Sequence, residues 1–140
     1  MKKLIILTLL VFAGSMFFMA NAQDTKKETK TIEVASADIE ATRGASPHIT
    51  TPKPTGDVVA PKPEATRGEY CKVIVDNWTG YAIDIYVDGA WEGTVAAWSD
   101  GYTWAIKGRT QLYGESTGGT KYWGPSYVNC TGTYTWKLTD

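Results

Sequence analysis

The sequence predicts an all-β protein, a small antiparallel β-sandwich of about seven strands built from residues 69–140. Three observations lead to this prediction. Apolar and polar residues alternate along short segments of this region. Turn-forming pairs such as Asp88-Gly89 and Gly118-Gly119 separate the segments. No helical periodicity is present in the region, which holds all six tryptophans and all eight tyrosines.

The predicted strands cover residues 70–76, 81–86, 90–95, 102–106, 110–116, 121–128 and 133–138. Alternation places one set of side chains from each strand in the core. The predicted core comprises Cys71, Val73 and Val75, with Val128 and Cys130 opposite, then Tyr102, Trp104 and Ile106, and finally Tyr134, Trp136 and Leu138.

The hairpin at Asp88-Gly89 has two possible registers. A two-residue loop would set Ile85 opposite Glu92 and mix apolar with charged residues on one face. A three-residue loop over 87–89 sets Ile85 opposite Trp91 and Ile83 opposite Gly93, which keeps that face apolar. The sequence therefore predicts the longer loop.

Residues 1–22 are predicted to be a secretory signal peptide. Two lysines precede an apolar run that ends in the small-residue pattern Ala20-Asn21-Ala22. An uncleaved anchor is the alternative, but the run is short for a membrane span. The prediction is therefore a secreted, periplasmic or cell-surface protein without a membrane span after cleavage.

Residues 23–68 are predicted to be a disordered linker, because they hold no aromatic residue and few apolar ones. The linker repeats itself, since Glu-Ala-Thr-Arg-Gly occurs at 40–44 and again at 64–68. The repeat is either duplication in low-complexity sequence or a pair of protease sites after Arg43 and Arg67.

Cys71 and Cys130 are the two cysteines of the chain, and in an exported protein they are predicted to form a disulfide. The chain contains no C-x-x-C motif, which argues against a redox pair.

The composition argues against an enzyme and against nucleic-acid binding. His48, the only histidine, lies in the predicted linker, so the predicted domain lacks the commonest general base and metal ligand. No P-loop, dinucleotide fingerprint or G-x-S-x-G motif is present. The formal net charge of −1 offers nothing to attract nucleic acid or an anionic membrane. No cofactor is predicted.

A domain of this size has too small a core for fourteen large rings, so some rings are expected on the surface. Five aromatic residues fall outside the predicted core and are the candidate ligand-binding residues: Trp78, Tyr86, Trp98, Tyr113 and Tyr122. The alternative is that these rings pack as cross-strand pairs or as lids over the edges of the sandwich.

The predicted hairpin register also brings Asp84 opposite Glu92. Like charges directly opposite each other destabilise a sheet, so a partner is expected. A neighbouring basic residue such as Lys107 or Arg109 is the first expectation. A bound cation and an acid–base pair are the alternatives.

Part of the chain resembles the PEGA-type β-sandwich modules of bacterial surface proteins. The resemblance lies in Ile85-Tyr86-Val87-Asp88-Gly89, in Gly93-Thr94, and in Gly108 before Thr110-Gln111-Leu112-Tyr113. The Pro-Glu-Gly-Ala run of that family is absent. Residues 69–140 also resemble small tryptophan-rich domains of secreted proteins of Bacteroidota. Both resemblances imply a surface module without catalytic residues.

Together these observations predict an exported, non-catalytic binding module that contacts carbohydrate through exposed aromatic side chains. The partner would be a polysaccharide or another component of the cell envelope. A protein-interaction or inhibitor module that contacts a surface protein is the second hypothesis, and a structural surface repeat is the third.

Overall fold

The computed structural model describes residues 29–40, 44–56 and 69–140. These residues form nine strands, which confirms the predicted all-β class. The strands are β1 (Thr29–Ala35), β2 (Ala37–Asp38), β3 (Tyr70–Asn77), β4 (Ile83–Val87), β5 (Ala90–Val95), β6 (Asp100–Ile106), β7 (Gly108–Ser116), β8 (Lys121–Cys130) and β9 (Thr133–Thr139). Within the described residues, no helix is long and apolar enough to cross a membrane.

The strands form two sheets that share one core. The first sheet has the order β1-β9-β3-β6, and the second sheet has the order β2-β8-β7-β4-β5. Strand β9 runs parallel to both of its neighbours, β1 and β3, whereas the other strand pairs are antiparallel. The first sheet is therefore mixed, with β9 as the parallel strand in a sandwich whose other named strand pairs are antiparallel.

The core combines residues from both sheets, as alternation predicted for most strands. Its members are Cys71, Val73, Val75, Ile83, Ile85, Val87, Ala105, Leu112, Trp123, Val128, Cys130, Trp136 and Leu138. The predicted disulfide between Cys71 and Cys130 is present, and it links the first sheet to the second across the buried interior. Trp123 and Trp136 are fully buried and fill the centre.

Strand β6 turns the opposite face to the core from the one predicted. Thr103 and Ala105 are buried, whereas Tyr102 and Ile106 are exposed and Trp104 is half-buried. The reason is the pairing of β6 with β3, because directly opposite residues of antiparallel strands share a face. Since Cys71 faces the core, its partner Ala105 does so too.

The β4–β5 hairpin has a shorter loop than the one predicted. Val87 pairs with Ala90, and the two-residue turn between them places Asp88 at a φ of 50° and Gly89 at a φ of 85°. Positive φ at both positions is the geometry of a type I′ turn. A β-bulge then shifts the register, so that Ile85 lies opposite Gly93 and the core face stays apolar.

The region predicted as a disordered linker contains two parts that lie against the sandwich. Residues 29–38 supply β1 and β2, one to each sheet, and Ile32 and Val34 pack against the core. Residues 44–56, termed the strap below, lie against the second sheet. Backbone pairing holds β1 and β2, and hydropathy did not indicate it. The predicted signal peptide, Arg43 and Arg67 lie outside the described residues.

Candidate functional site

The structure separates the five predicted ligand-binding residues into two groups. Tyr86, Tyr113 and Tyr122 form a row on the outer face of the second sheet, with ring centroids 6.1 Å and 6.2 Å apart. Trp78 and Trp98 lie together beyond the ends of β3 and β6 in the first sheet. The two groups therefore belong to different surfaces of the protein.

The tyrosine row is covered, which corrects the expectation that it is exposed. Tyr86 is only 5% exposed and Tyr113 only 1%, while Tyr122 is half-buried. The ring of His48, in the strap, lies 5.3 Å from the ring of Tyr113. Burial, and then the nearby charge of Asp84, raise the pKa of Tyr86 to about 12, so its phenol is protonated at neutral pH.

Backbone hydrogen bonds and one ion pair hold the strap in place. The backbone N–H groups of Thr50 and Thr51 both donate to the carbonyl oxygen of Gly89, at 2.9 and 3.0 Å. The backbone N–H of Trp91 donates to Thr51 at 3.1 Å. Lys53 Nζ lies 3.1 Å from Asp84 Oδ1. The strap thus continues the hydrogen bonding of the hairpin turn and hides the face on which a ligand would meet the tyrosines.

Asp84 and Glu92 do not form the pair that the predicted register implied. Asp84 lies opposite Thr94, which donates a hydrogen bond to it, and its basic partner is Lys53 rather than Lys107 or Arg109.

Glu92 accepts a hydrogen bond of 2.9 Å from Thr103 Oγ1 instead. Burial raises the pKa of the Glu92 carboxyl, and this hydrogen bond opposes the shift. Among the described residues, no group of three or more His, Cys, Asp or Glu side chains is arranged to hold a metal ion.

The two tryptophans flank an open cleft of about 210 Å³, termed the tryptophan cleft. Trp78 is 57% exposed and Trp98 is 69% exposed, the largest value among the exposed large hydrophobic side chains of the described residues. The residues that line the cleft are Asp76, Asn77, Trp78, Trp98, Ser99 and Asp100. Two large indole rings are therefore accessible to solvent next to carboxylate and hydroxyl groups.

A buried asparagine fixes the two loops that carry these rings. Asn77 Nδ2 donates to the carbonyl oxygens of Tyr81 and Ala96, at 2.8 and 2.9 Å. Asn77 Oδ1 accepts from the backbone N–H and from the hydroxyl of Thr79, at 3.0 and 2.8 Å. The backbone N–H of Trp98 donates to the Thr79 carbonyl oxygen at 3.1 Å. This Asn77 clamp ties the loop after β3 to the loop before β6.

The two tryptophans are further constrained at their own positions. The backbone N–H of Trp78 donates to Leu138 at 2.9 Å, and Lys137 Nζ lies 5.1 Å from the centre of the Trp78 ring, in cation–π geometry. Trp98 has a φ of 54°, in the left-handed region that bulky residues rarely occupy. Neither tryptophan therefore sits in an unrestrained loop.

The exposed outer face of the first sheet extends this surface in a way that sequence reasoning missed. Tyr102 and Trp104 follow Asp100 along β6, with their rings edge to face at a centroid distance of 6.4 Å. Lys72 Nζ lies 4.5 Å from the centre of the Tyr102 ring. Both rings had been assigned to the core on alternation alone. The pairing of β6 with β3, the strand that holds Cys71, would have shown that both rings face away from the core.

No protein-family model matches this chain, and no curated protein or solved structure is significantly similar to it.

Proposed function

We propose that this protein is a non-catalytic carbohydrate-binding module and that the tryptophan cleft is its binding site. The observation that carries the proposal is the exposure of Trp78 and Trp98 on one cleft, beside Asp76, Ser99 and Asp100. The C–H faces of a pyranose ring pack against indole rings, while its hydroxyl groups hydrogen-bond to carboxylate and hydroxyl oxygens. The cleft offers both kinds of contact within the dimensions of one or two sugar residues.

The rigidity of the cleft supports a binding role. Loops that are already fixed lose little conformational entropy when a ligand arrives, and the Asn77 clamp holds the two loops that carry the rings. The left-handed backbone conformation of Trp98 also supports a binding role. That conformation costs roughly 1–2 kcal/mol for a residue other than glycine, and such strain concentrates at functional sites.

Tryptophan fluorescence provides the direct test. We expect the purified, oxidised protein to show a saturable change in emission with oligosaccharides of the cell envelope, and to lose it in Trp98→Ala and Trp78→Ala. Tyr127→Ala is the matched control, because Tyr127 is 52% exposed but lies on β8, in the other sheet. Variants that fold like the wild type and bind with unchanged affinity would refute the assignment of the cleft.

The proposal includes export of the protein. The predicted signal peptide over residues 1–22 supports it. The disulfide between Cys71 and Cys130 also supports it, since such bonds persist in oxidising compartments. The readout is the mature N-terminus of the protein recovered outside the cytoplasm, which we expect to be Gln23.

A protein partner is the second candidate function, and β6 is the observation in its favour. This strand is an edge of the first sheet and carries the exposed side chains of Tyr102 and Ile106. Open edges that bear apolar side chains pair with strands of other proteins. Binding that survives competition by sugars and is lost in Ile106→Lys would favour this function over carbohydrate binding.

A further inference from the structure

The charges around the tryptophan cleft restrict which sugars it accommodates. Asp76 and Asp100 are direct partners across β3 and β6, and both line the cleft. Like charges in this position destabilise a sheet. The six residues that line the cleft include no basic side chain. A ligand in the cleft therefore meets two negative charges and two indole faces.

The surrounding basic groups have other partners. Lys137 pairs with Asp76 in the register of β3 and β9, but its Nζ lies 3.2 Å from Glu33 Oε2 and 5.1 Å from the Trp78 ring. Lys72 lies over the ring of Tyr102. Glu33 thus offsets the charge of Lys137, and Asp76 and Asp100 are the charged side chains that line the cleft.

We infer that the tryptophan cleft selects sugars that carry a protonated amino group, such as glucosamine residues with a free amine. This inference rests on the proposed carbohydrate-binding function and specifies its ligand. An ammonium group gains charge-assisted hydrogen bonds to carboxylates and a cation–π contact with an indole. An N-acetyl group gains neither, and the carboxylate of a uronic acid is repelled. The otherwise unfavourable pairing of Asp76 with Asp100 is relieved when the ligand brings a positive charge.

The test compares oligosaccharides of one length that differ at a single substituent. The probes are β-1,4-linked hexamers of glucosamine, of N-acetylglucosamine and of glucose, titrated by calorimetry at low salt and at a pH where the amine is protonated. We expect the glucosamine hexamer to bind about tenfold more tightly than the other two, since one ion pair and one cation–π contact distinguish them. We expect most of this preference to disappear in 0.5 M salt or when the amine is deprotonated.

Charge-neutral variants show whether the preference resides in the cleft. Asp76→Asn combined with Asp100→Asn should lose the preference for glucosamine, so that the glucosamine and glucose hexamers bind the variant with similar affinity. It should unfold at a urea concentration at least equal to that of the wild type, because it removes a like-charge pair. Asp38→Asn is the matched control. Its carboxylate is 81% exposed and pairs with Lys121 in the second sheet, so it should leave the preference unchanged.

The outcomes separate the two proposals. If no hexamer binds, the carbohydrate-binding function itself is refuted. If the glucose or N-acetylated hexamer binds as tightly as the glucosamine hexamer, the amine preference is refuted and carbohydrate binding stands. A preference that persists in the double aspartate variant, or that Asp38→Asn abolishes, would reflect general attraction of a polycation and would also overturn the inference.

Discussion

The Asn77 clamp gives the sharpest quantitative prediction, because one buried side chain makes four hydrogen bonds. Asn77→Ala removes all four and leaves the carbonyl oxygens of Tyr81 and Ala96 without that donor. At about 1 kcal/mol for each hydrogen bond, the expected loss in the free energy of unfolding is about 4 kcal/mol. Asn77 is only 2% exposed, so water has little access to replace the lost partners. For a domain with a typical stability of roughly 5–15 kcal/mol, this is a large fraction of the total.

Urea denaturation of the oxidised protein, followed by tryptophan fluorescence, measures this loss. Asn129→Ala is the matched control, because Asn129 is exposed on β8 and its replacement is expected to change stability by less than about 0.5 kcal/mol. A loss below about 1 kcal/mol for Asn77→Ala, or one equal to that of the control, would refute the clamp. Any folded population of Asn77→Ala should also bind glycans less tightly, since the clamp positions both tryptophans.

Three further predictions concern the disulfide, the hairpin turn and a buried carboxyl. Replacing Cys71 and Cys130 together by alanine should cost about 4 kcal/mol in a urea titration, because the bond closes a loop of 59 residues. Gly89→Ala should cost at least 1–2 kcal/mol, since Gly89 has a φ of +85° and a Cβ there would lie 2.6 Å from a strap hydroxyl. Glu92→Gln should stabilise the protein at neutral pH relative to the wild type. Burial raises the pKa of Glu92 in the folded state. The protonated carboxyl therefore contributes to stability below its ordinary pKa near 4.5, and this contribution is lost as pH rises through the folded-state pKa.

Each of these predictions has an outcome that contradicts it. Equal stability of the disulfide-free variant and the oxidised protein would show that the crosslink adds nothing to the folded state. Gly132→Ala is the control for the turn, because a Cβ at Gly132 meets no atom within 4 Å, and a loss equal to that of Gly89→Ala would exclude turn strain. For Glu92→Gln, the difference from the wild type should shrink as pH falls. A difference that is constant with pH would exclude the titration of this carboxyl.

Alternation correctly predicted which side chains are buried in strands that lie between two other strands. It placed Cys71, Val73 and Val75 in the core, and Trp136 and Leu138 likewise. These strands lie inside the first sheet, so the hydrophobic pattern alone determines which side chains are buried.

At an edge strand, the pattern is a poorer guide. In β6, the large rings of Tyr102 and Trp104 suggested a core face, yet the small Ala105 faces the core beside Cys71. Burial in this strand follows from its pairing with β3, which the sequence does not reveal without the register. The β4–β5 hairpin shows the same limitation of the hydrophobic pattern. A two-residue loop without a bulge would mix apolar and charged residues on the core face, and the bulge between Ile85 and Tyr86 keeps that face apolar.

The candidate site was predicted in part. Trp78 and Trp98 were identified as exposed because they fall in turns. The predicted exposure of Tyr86 and Tyr113 was wrong, because the strap covers these two residues on the outer face of the second sheet. The strap is a polar segment far from these tyrosines in the sequence, and the hydropathy pattern does not indicate that it covers them. Hydrogen bonds and the ion pair of Lys53 hold it in place.

The N-terminal segment supplies one strand to each sheet, and this restricts where the chain can be cut without loss of strand pairing. β1 pairs with β9, and β2 pairs with β8 after a single intervening residue, Ser36. A fragment that begins at residue 69 would leave β8 and β9 with unpaired backbone edges, which recruit strands from other molecules. Proteolysis after Arg67 would leave the two pieces joined by strand pairing rather than release a separate domain. The folding unit therefore includes β1 and β2, and a molecule that lacks these two strands could accept those of a neighbour.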